Sequence, residues 1–366
     1  MPVNILLLSG ASLVGQNIVQ VLHGRRHGLR LLATNSLANA PALADFDSVF
    51  LAPQTQSDPA AFDAYIEQLI DREKPLLTIP CRDDDVVALA RLAARRPDLA
   101  SRLLCGSMDS AGATVDKWAS WEFSQQWELP FVPTIIPTDE ALVEGFARIH
   151  GFPLLAKPRF GFASRGVSLI LNCDQLASII GNTSLLLQRY IGCPQTVSDY
   201  IEASRSAGIP LFNSFESTKY SFQAMIGNAG EVLGQFATEH QMSQGVSQRV
   251  AKSHDADGLA LGIKCAEAFA AAGWRGPINV QCQRTPGGEL LAYEFNGRFT
   301  GATAARMMLG YDELAIALQH FAEVALVSPD RSTASYVVKQ PVSCAVLPEI
   351  QSVLETHGVW FPRPLA

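Results

Sequence analysis

Gln281, Glu294 and Asn296 stand at spacings that gather hard oxygen donors on one face of a β-hairpin. Residues 279–283 (NVQCQ) read as one strand and residues 290–294 (LLAYE) as the next, with Pro286-Gly287-Gly288 as the turn between them. A two-residue Gly287-Gly288 turn sets Gln281 directly opposite Glu294, and the two-residue period of a strand puts Asn296 on the same face. Val280, Cys282, Leu291, Tyr293 and Phe295 then share the other, apolar face. One carboxylate and two amide oxygens suit a divalent cation such as Mg2+. The same pattern also describes an ordinary amphipathic hairpin with a solvated face.

Upstream lie groups suited to phosphate. Residues 152–158 (FPLLAKP) read as a strand delivering Lys157, and residues 159–166 (RFGFASRG) as a flexible loop. Glycines such as Gly166 permit close backbone approach, Ser164 offers a hydroxyl, and Lys157 and Arg165 supply positive charge, a set that suits a triphosphate. Taken singly, each segment equally describes a surface lysine and a plain loop.

These groups must be positioned by a folded chain, and the composition supports one. The 366 residues are 48% hydrophobic and 17% charged with net charge −7, enough for two or three domains and a sizeable core, and too acidic to point to nucleic acid. Seven cysteines, odd in number and without a CxxC pair, suggest neither a disulfide framework nor a zinc site. With no basic leader and no apolar stretch of 18 residues, the sequence predicts a cytoplasmic protein without export or membrane segments.

The first hundred residues alternate strand and helix signals. Strands are predicted at 3–8, 29–33, 48–51 and 76–79, and helices at 12–23, 59–73 with Asp58 as N-cap, and 85–95, closing near Gly106. That order is a parallel α/β layer. Gly10-Ala11-Ser12-Leu13-Val14-Gly15 opens its first helix, where backbone N–H groups receive anions. A dinucleotide site would want an acid at the end of the second strand, and Thr34-Asn35-Ser36 stands there. Asp83-Asp84-Asp85 at a strand end reads either as a ligand-facing edge or as helix capping.

Taken in order, Asp116-Lys117, Lys157-Pro158 with its glycine-rich loop, Gln188-Arg189-Tyr190-Ile191-Gly192, Asn279-Val280-Gln281 and Glu294-Phe295-Asn296-Gly297-Arg298 resemble the motif set of the ATP-grasp superfamily. The resemblance covers nearly the whole chain. It is closest to carboxylate-amine ligases similar to a synthetase unit of the carbamoyl-phosphate synthetase large chain. It implies an N-terminal parallel α/β, Rossmann-like domain (1–108), a lid and N-terminal ATP-grasp subdomain (109–186), and a C-terminal subdomain with the metal hairpin (187–366).

By the same resemblance Lys117 and Lys157 contact nucleotide phosphates, and Ser164, Arg165 and Gly166 belong to the loop folding over them. Gln188, Arg189 and Ile191 belong to the segment that receives adenine. Gln281, Glu294 and Asn296 hold Mg2+, with Mn2+ as an alternative, while Arg298 stabilises the transferred phosphoryl group beside Lys157. The implied activity joins a small carboxylate to an amine or thiol through an acyl phosphate, releasing ADP. A homodimer is compatible with the resemblance, as is a non-catalytic ATP-binding protein on an altered frame.

Three departures stand out. Arg189 occupies a place where glutamate is common, the acid that the family often places a few residues later for the ribose is missing, with Gln195 or Glu216 as alternatives, and Gly297 stands where proline is frequent. His240 reads as a loop histidine, and Arg249 as either a substrate-carboxylate contact or a surface ion pair. Residues 336–366 read as a strand and helix closing the C-terminal unit.

Overall fold

Four short apolar runs build the first layer: β1 (Val3–Leu8), β2 (Leu29–Asn35), β3 (Ser48–Leu51) and β4 (Leu77–Pro80), parallel and ordered β3-β2-β1-β4. The computed structural model describes residues 2–161, 165–209, 215, 218–243, 246–329, 334–340 and 342–362. Strand alternation sends Leu6, Leu8, Leu32 and Phe50 to one face, against α2 (Pro59–Glu73) and α3 (Asp83–Arg95). Ile5, Leu7, Leu31 and Ala33 go to the other, against Ile18, Val21 and Leu22 of α1 (Leu13–Leu22). Both faces are covered, so the strands are apolar throughout rather than alternating. Asp58 caps α2 by accepting from Ala61 N, with Pro59 following, a contribution of roughly 1 kcal/mol.

Two further helices, α4 (Met108–Ala113) and α5 (Lys117–Gln126), lead into a small unit. It comprises β5 (Thr134–Ile135), α6 (Glu140–His150), β6 (Leu154–Pro158), β7 (Ser168–Ile170), α7 (Cys173–Ala177) and β8 (Leu185–Arg189). Its antiparallel sheet is ordered β5-β8-β6-β7, and Val143, Phe146 and Leu176 pack on Leu154, Ala156 and Leu187. The boundary expected after residue 186 falls inside β8, whose residues all pair with β6. Past the start expected at 109, Phe123 of α5 stacks on Phe269 at 4.3 Å in the neighbouring core.

After α8 (Pro194–Ala207) come β9 (Lys219–Ile226), β10 (Val232–Ser243), β11 (Val246–Lys252), α9 (Ala256–Ala271), β12 (Gly276–Arg284), β13 (Leu290–Asn296), α10 (Thr303–Met308), α11 (Glu313–Ala322) and β14 (Tyr336–Val338). The large sheet runs β13-β12-β9-β10-β11-β14. Phe222, Ala224, Val280 and Phe295 bury one face against α9 and α5. The opposite face is polar toward the small unit and apolar only at its far end, where Met225 meets Leu314 and Leu318 of α11. His240 lies within β10, not in the expected loop.

The chain then returns to its beginning. In α12 (Pro348–His357), Ile350 and Leu354 enter the core containing Ile5 and Leu7, and β15 (Val359–Trp360) pairs antiparallel with β3. Only β14 closes the large sheet, so the last segment mainly seals the N-terminal unit, contrary to the sequence expectation. The free edge of β3 explains this: its backbone needs partners, and Leu51 N donates to Gly358 O at 2.7 Å.

Candidate active site

The β12–β13 hairpin brings Gln281 opposite Glu294 and Asn279 opposite Asn296, so four polar side chains share a face. The pairing arises differently from the expected two-residue turn. Gly288 N donates to Thr285 O and Thr285 N to Glu289 O, which makes Pro286–Gly288 a three-residue loop with Gly288 left-handed at φ +88°. Next to that loop Arg284 faces Leu290, a register that would misalign Gln281 by one residue. A bulge between the Gln281–Glu294 and Cys282–Ala292 pairs restores it, with Tyr293 as the extra residue. Tyr293 is half-buried against the core that holds Val280 and Phe295, and its hydroxyl donates to Gln281 Oε1 at 3.0 Å.

The donor set fits a hard divalent cation. Glu294 is half-buried, Gln281 Oε1 keeps a second lone pair, and Asn296 is buried with Oδ1 accepting from Arg298 Nη2 at 3.1 Å. Asn279, not singled out as a site residue from the sequence, donates from Nδ2 to Ser221 Oγ at 2.7 Å and braces the same face.

Gly297 explains its own departure from proline. A Cβ there would overlap the Trp274 indole and come 2.8 Å from Thr114 Oγ1, and Trp274 is fully buried. Gly297→Ala is expected to cost about 1–3 kcal/mol by overpacking. Denaturant titration checks this, and combination with Trp274→Leu should recover most of the loss.

Lys157 links the two sheets. It leaves β6 of the small sheet, and its Nζ donates to Tyr293 O of the hairpin at 3.4 Å. It is buried, and burial lowers its pKa to about 7; Glu294 opposes that shift, while Lys117 and Lys219 add to it. Lys219, overlooked in the sequence, thus belongs to the same cationic group. Lys117 Nζ donates to Gly161 O at 2.9 Å and Arg159 O at 3.4 Å, and Arg159 pairs with Asp116, so the Asp116-Lys117 pair anchors the start of the glycine-rich loop. Arg165 and Gly166 form an exposed turn beyond it, with Gly166 at φ +73°, whereas Ser164 lies outside the described residues.

The other nominated residues are more engaged. Gln188 is buried with Nε2 donating to Thr134 Oγ1 at 2.7 Å, and Arg189 pairs with Glu289 at 3.0 Å. Ile191 packs into the large-sheet core, its carbonyl accepting from Gln283. Gln195 bonds Asp199 at 2.7 Å, and Glu216 lies outside the described residues. His240 is held by Thr238 and Ser247, each at 2.9 Å, and burial, with Arg306, Lys339 and Lys219 nearby, drives its pKa down to about 3. Arg249 lies 4.2 Å over the Tyr336 ring and 4.0 Å from Glu239. Arg298 is half-buried beside the hairpin and reaches Asp83 of α3 at 2.6 Å.

No family model matches the sequence. Over 133 residues the chain is 26% identical to the vancomycin C-type resistance protein VanC2 of Enterococcus casseliflavus, a match covering 32% of this chain and 38% of that protein. Solved structures align far more completely. N5-carboxyaminoimidazole synthetase from Staphylococcus aureus, complexed with ADP, aligns over 88% of this chain and 78% of its own with TM-score 0.66 and 13% identity. The biotin carboxylase domain of Hydrogenobacter thermophilus 2-oxoglutarate carboxylase, a dimer with MgADP, ADP and bicarbonate, aligns over 88% and 70% with TM-score 0.64 and 16% identity. The fold is the ATP-grasp fold.

In this ATP-grasp fold the candidate residues meet where the small sheet approaches the β12–β13 hairpin. Lys157 comes from one side, Gln281, Glu294 and Asn296 from the other, and Arg298 closes the end nearest the N-terminal unit. No helix among the described residues is long and apolar enough to cross a membrane.

Proposed function

We propose that this chain is an ATP-dependent ligase that joins a small carboxylate, such as an amino acid, to an amine or thiol through an acyl phosphate. One observation carries the reading: a buried lysine from the small sheet reaches the hairpin that presents Gln281, Glu294 and Asn296, with Arg298 alongside. Cations and hard oxygen donors thus converge at one junction, which suits a magnesium nucleotide. The ADP and magnesium complexes of the structural neighbours support the same reading.

In the proposed reaction a carboxylate oxygen attacks the γ-phosphorus, and the bond to the β-phosphate bridging oxygen breaks, releasing ADP. The amine nitrogen, or thiol sulfur, then attacks the acyl carbon, loses its proton, and inorganic phosphate leaves. Lys157 and Lys117 meet phosphate oxygens, and Arg298 meets the phosphoryl group in transfer. Gln281, Glu294 and Asn296 would hold Mg2+ or Mn2+, which when bound neutralises phosphate charge. All seven cysteines are free, in keeping with a reducing cytoplasm, and a homodimer is part of the proposal.

The test is ADP release from MgATP across a panel of amino acids and other small carboxylates, with and without amine acceptors. Acceptor-dependent release supports the ligase. A second reading, an ATP-binding protein without turnover, draws on Arg189 being held by Glu289 where glutamate is common in the resembling family. Calorimetric MgATP binding with no release across the panel would select it, and no nucleotide binding would sink both.

A further inference from the structure

The three consecutive acids at the start of α3 do three different things. Asp85 completes the capping box of α3, whose N-cap is Arg82: Oδ2 accepts from Cys81 N at 3.3 Å and Arg82 N at 3.0 Å, while Oδ1 accepts from Ser9 Oγ at 3.0 Å. Asp84 meets Arg82 at 3.4 Å. Asp83 plays no part in capping and instead faces another unit of the protein, where its Oδ1 lies 2.6 Å from Arg298 Nε. We propose that Asp83 is a positioning residue, through which the N-terminal unit fixes the Arg298 guanidinium toward the phosphoryl group in transfer. The proposal rests on the ligase reading of Arg298.

The geometry supports a positioning role over simple domain glue. Each nitrogen of Arg298 has a designated acceptor: Nε on Asp83, Nη2 on Asn296 Oδ1 at 3.1 Å, and Nη1 on Phe299 O at 3.3 Å. The Asn296 contact ties the guanidinium to a candidate metal ligand, so its orientation and the hairpin face are set together. The side chains are 15% and 26% exposed, which shields the pair from water while leaving an edge open. Asp83 belongs to the first turn of α3, which the Asp85 contacts to Arg82 N and Ser9 Oγ tie to the end of β1.

A structural comparison exists within the same molecule. Arg25 and Asp312 form another ion pair between the N-terminal unit and the rest, at 2.5 Å and with side chains 9% and 17% exposed. Arg25 follows the C-terminal end of α1, whereas Asp83 begins α3, so the two pairs lie at opposite edges of the parallel sheet. The Arg25 pair shares the burial and the domain-bridging position but not the neighbourhood of the hairpin.

The experiment measures MgADP affinity by calorimetry with and without aluminium fluoride, which completes a mimic of the phosphoryl group in transfer. The readout is the tightening that fluoride produces. Asp83→Asn should reduce that tightening tenfold or more while leaving MgADP affinity within twofold of wild type. Asp83→Glu, which keeps the charge and shifts it by one methylene, should lose less. Arg25→Met should lower Tm without altering the tightening. In the double variant with Arg298→Lys, Asp83→Asn should add nothing to the loss from Arg298→Lys alone.

Unchanged tightening in Asp83→Asn, alongside reduced tightening in Arg298→Lys, overturns the proposal and leaves the reading of Arg298 standing. Equal loss of MgADP affinity with and without fluoride also overturns it, in favour of a purely structural pair. Should Asp83→Asn not fold, the comparison of Asp83→Glu with wild type decides: undiminished tightening overturns the proposal. No fluoride effect in wild type, or none lost in Arg298→Lys, removes the reading of Arg298 and the proposal with it.

Discussion

Glu294→Ala is expected to lower ADP release by about 10³-fold or more while shifting Tm by no more than a few degrees. Glu294 is the only carboxylate of the hairpin trio, and no group of three or more His, Cys, Asp or Glu suited to a metal gathers among the described residues. Gln281 and Asn296 supply neutral oxygens, so in the proposed site the charge that would hold a divalent cation falls on Glu294. Its second effect acts through Lys157, whose protonation Glu294 favours; removing the carboxylate lowers the fraction of charged lysine at neutral pH. Both changes weaken the grip on phosphate. The stability cost is small because Glu294 is half-buried and, among the described residues, no hydrogen bond of its side chain anchors the hairpin, whose register is set by backbone pairing. Glu294→Gln keeps an oxygen donor without the charge, so a loss nearer 10²-fold, partly recovered by raising Mg2+, is expected. Titration of ADP release against Mg2+ for the three proteins checks this. Alanine activity within tenfold of wild type, or an unchanged Mg2+ dependence, would sink the assignment.

The hairpin shows what a sequence reveals and what it hides. The pairing of Gln281 with Glu294 was legible because strand period and turn residues are local signals. The route to it was not: a three-residue loop and a bulge at Tyr293 are compensating shifts, and a bulge leaves little trace in a polar-apolar pattern. The bounds of β1 and α2 match their predictions because Pro2, Asp58 and Pro59 punctuate clear apolar patterns. Asp83 was visible only as one of three acids with a capping alternative. Its partner lies 215 residues away, and nothing local distinguishes it from Asp85. Arg189 and Glu289, 100 residues apart, and the return of β15 to the edge of β3 have the same cause: partners chosen by topology are absent from local pattern.

Lys157→Met separates stability from function at one side chain. An ordinary lysine titrates near 10.4, whereas burial brings Lys157 to about 7 in the folded chain. Between those values the unfolded chain binds a proton that the native state lacks, so stability rises as pH climbs from about 7 to about 10. Equivalently, at and below pH 7 the native state bears the full cost of burying a group that the unfolded chain keeps charged. Methionine retains an unbranched apolar stem without that cost, which linkage puts at up to roughly 4 kcal/mol. Measured in EDTA without nucleotide, the variant is expected to melt several degrees above wild type at pH 7, with the gap closing toward pH 10. Its MgATP affinity should nevertheless fall about 100-fold, because the cation proposed to meet the phosphates is gone. Phosphate raises the lysine pKa, so wild type should take up close to one proton on binding MgATP at pH 8, seen as a binding enthalpy that depends on buffer ionisation heat. The methionine variant should show none. A methionine variant that melts below wild type at pH 7, or binds MgATP as tightly, would mean that Lys157 is neither strained in the free protein nor turned toward phosphate.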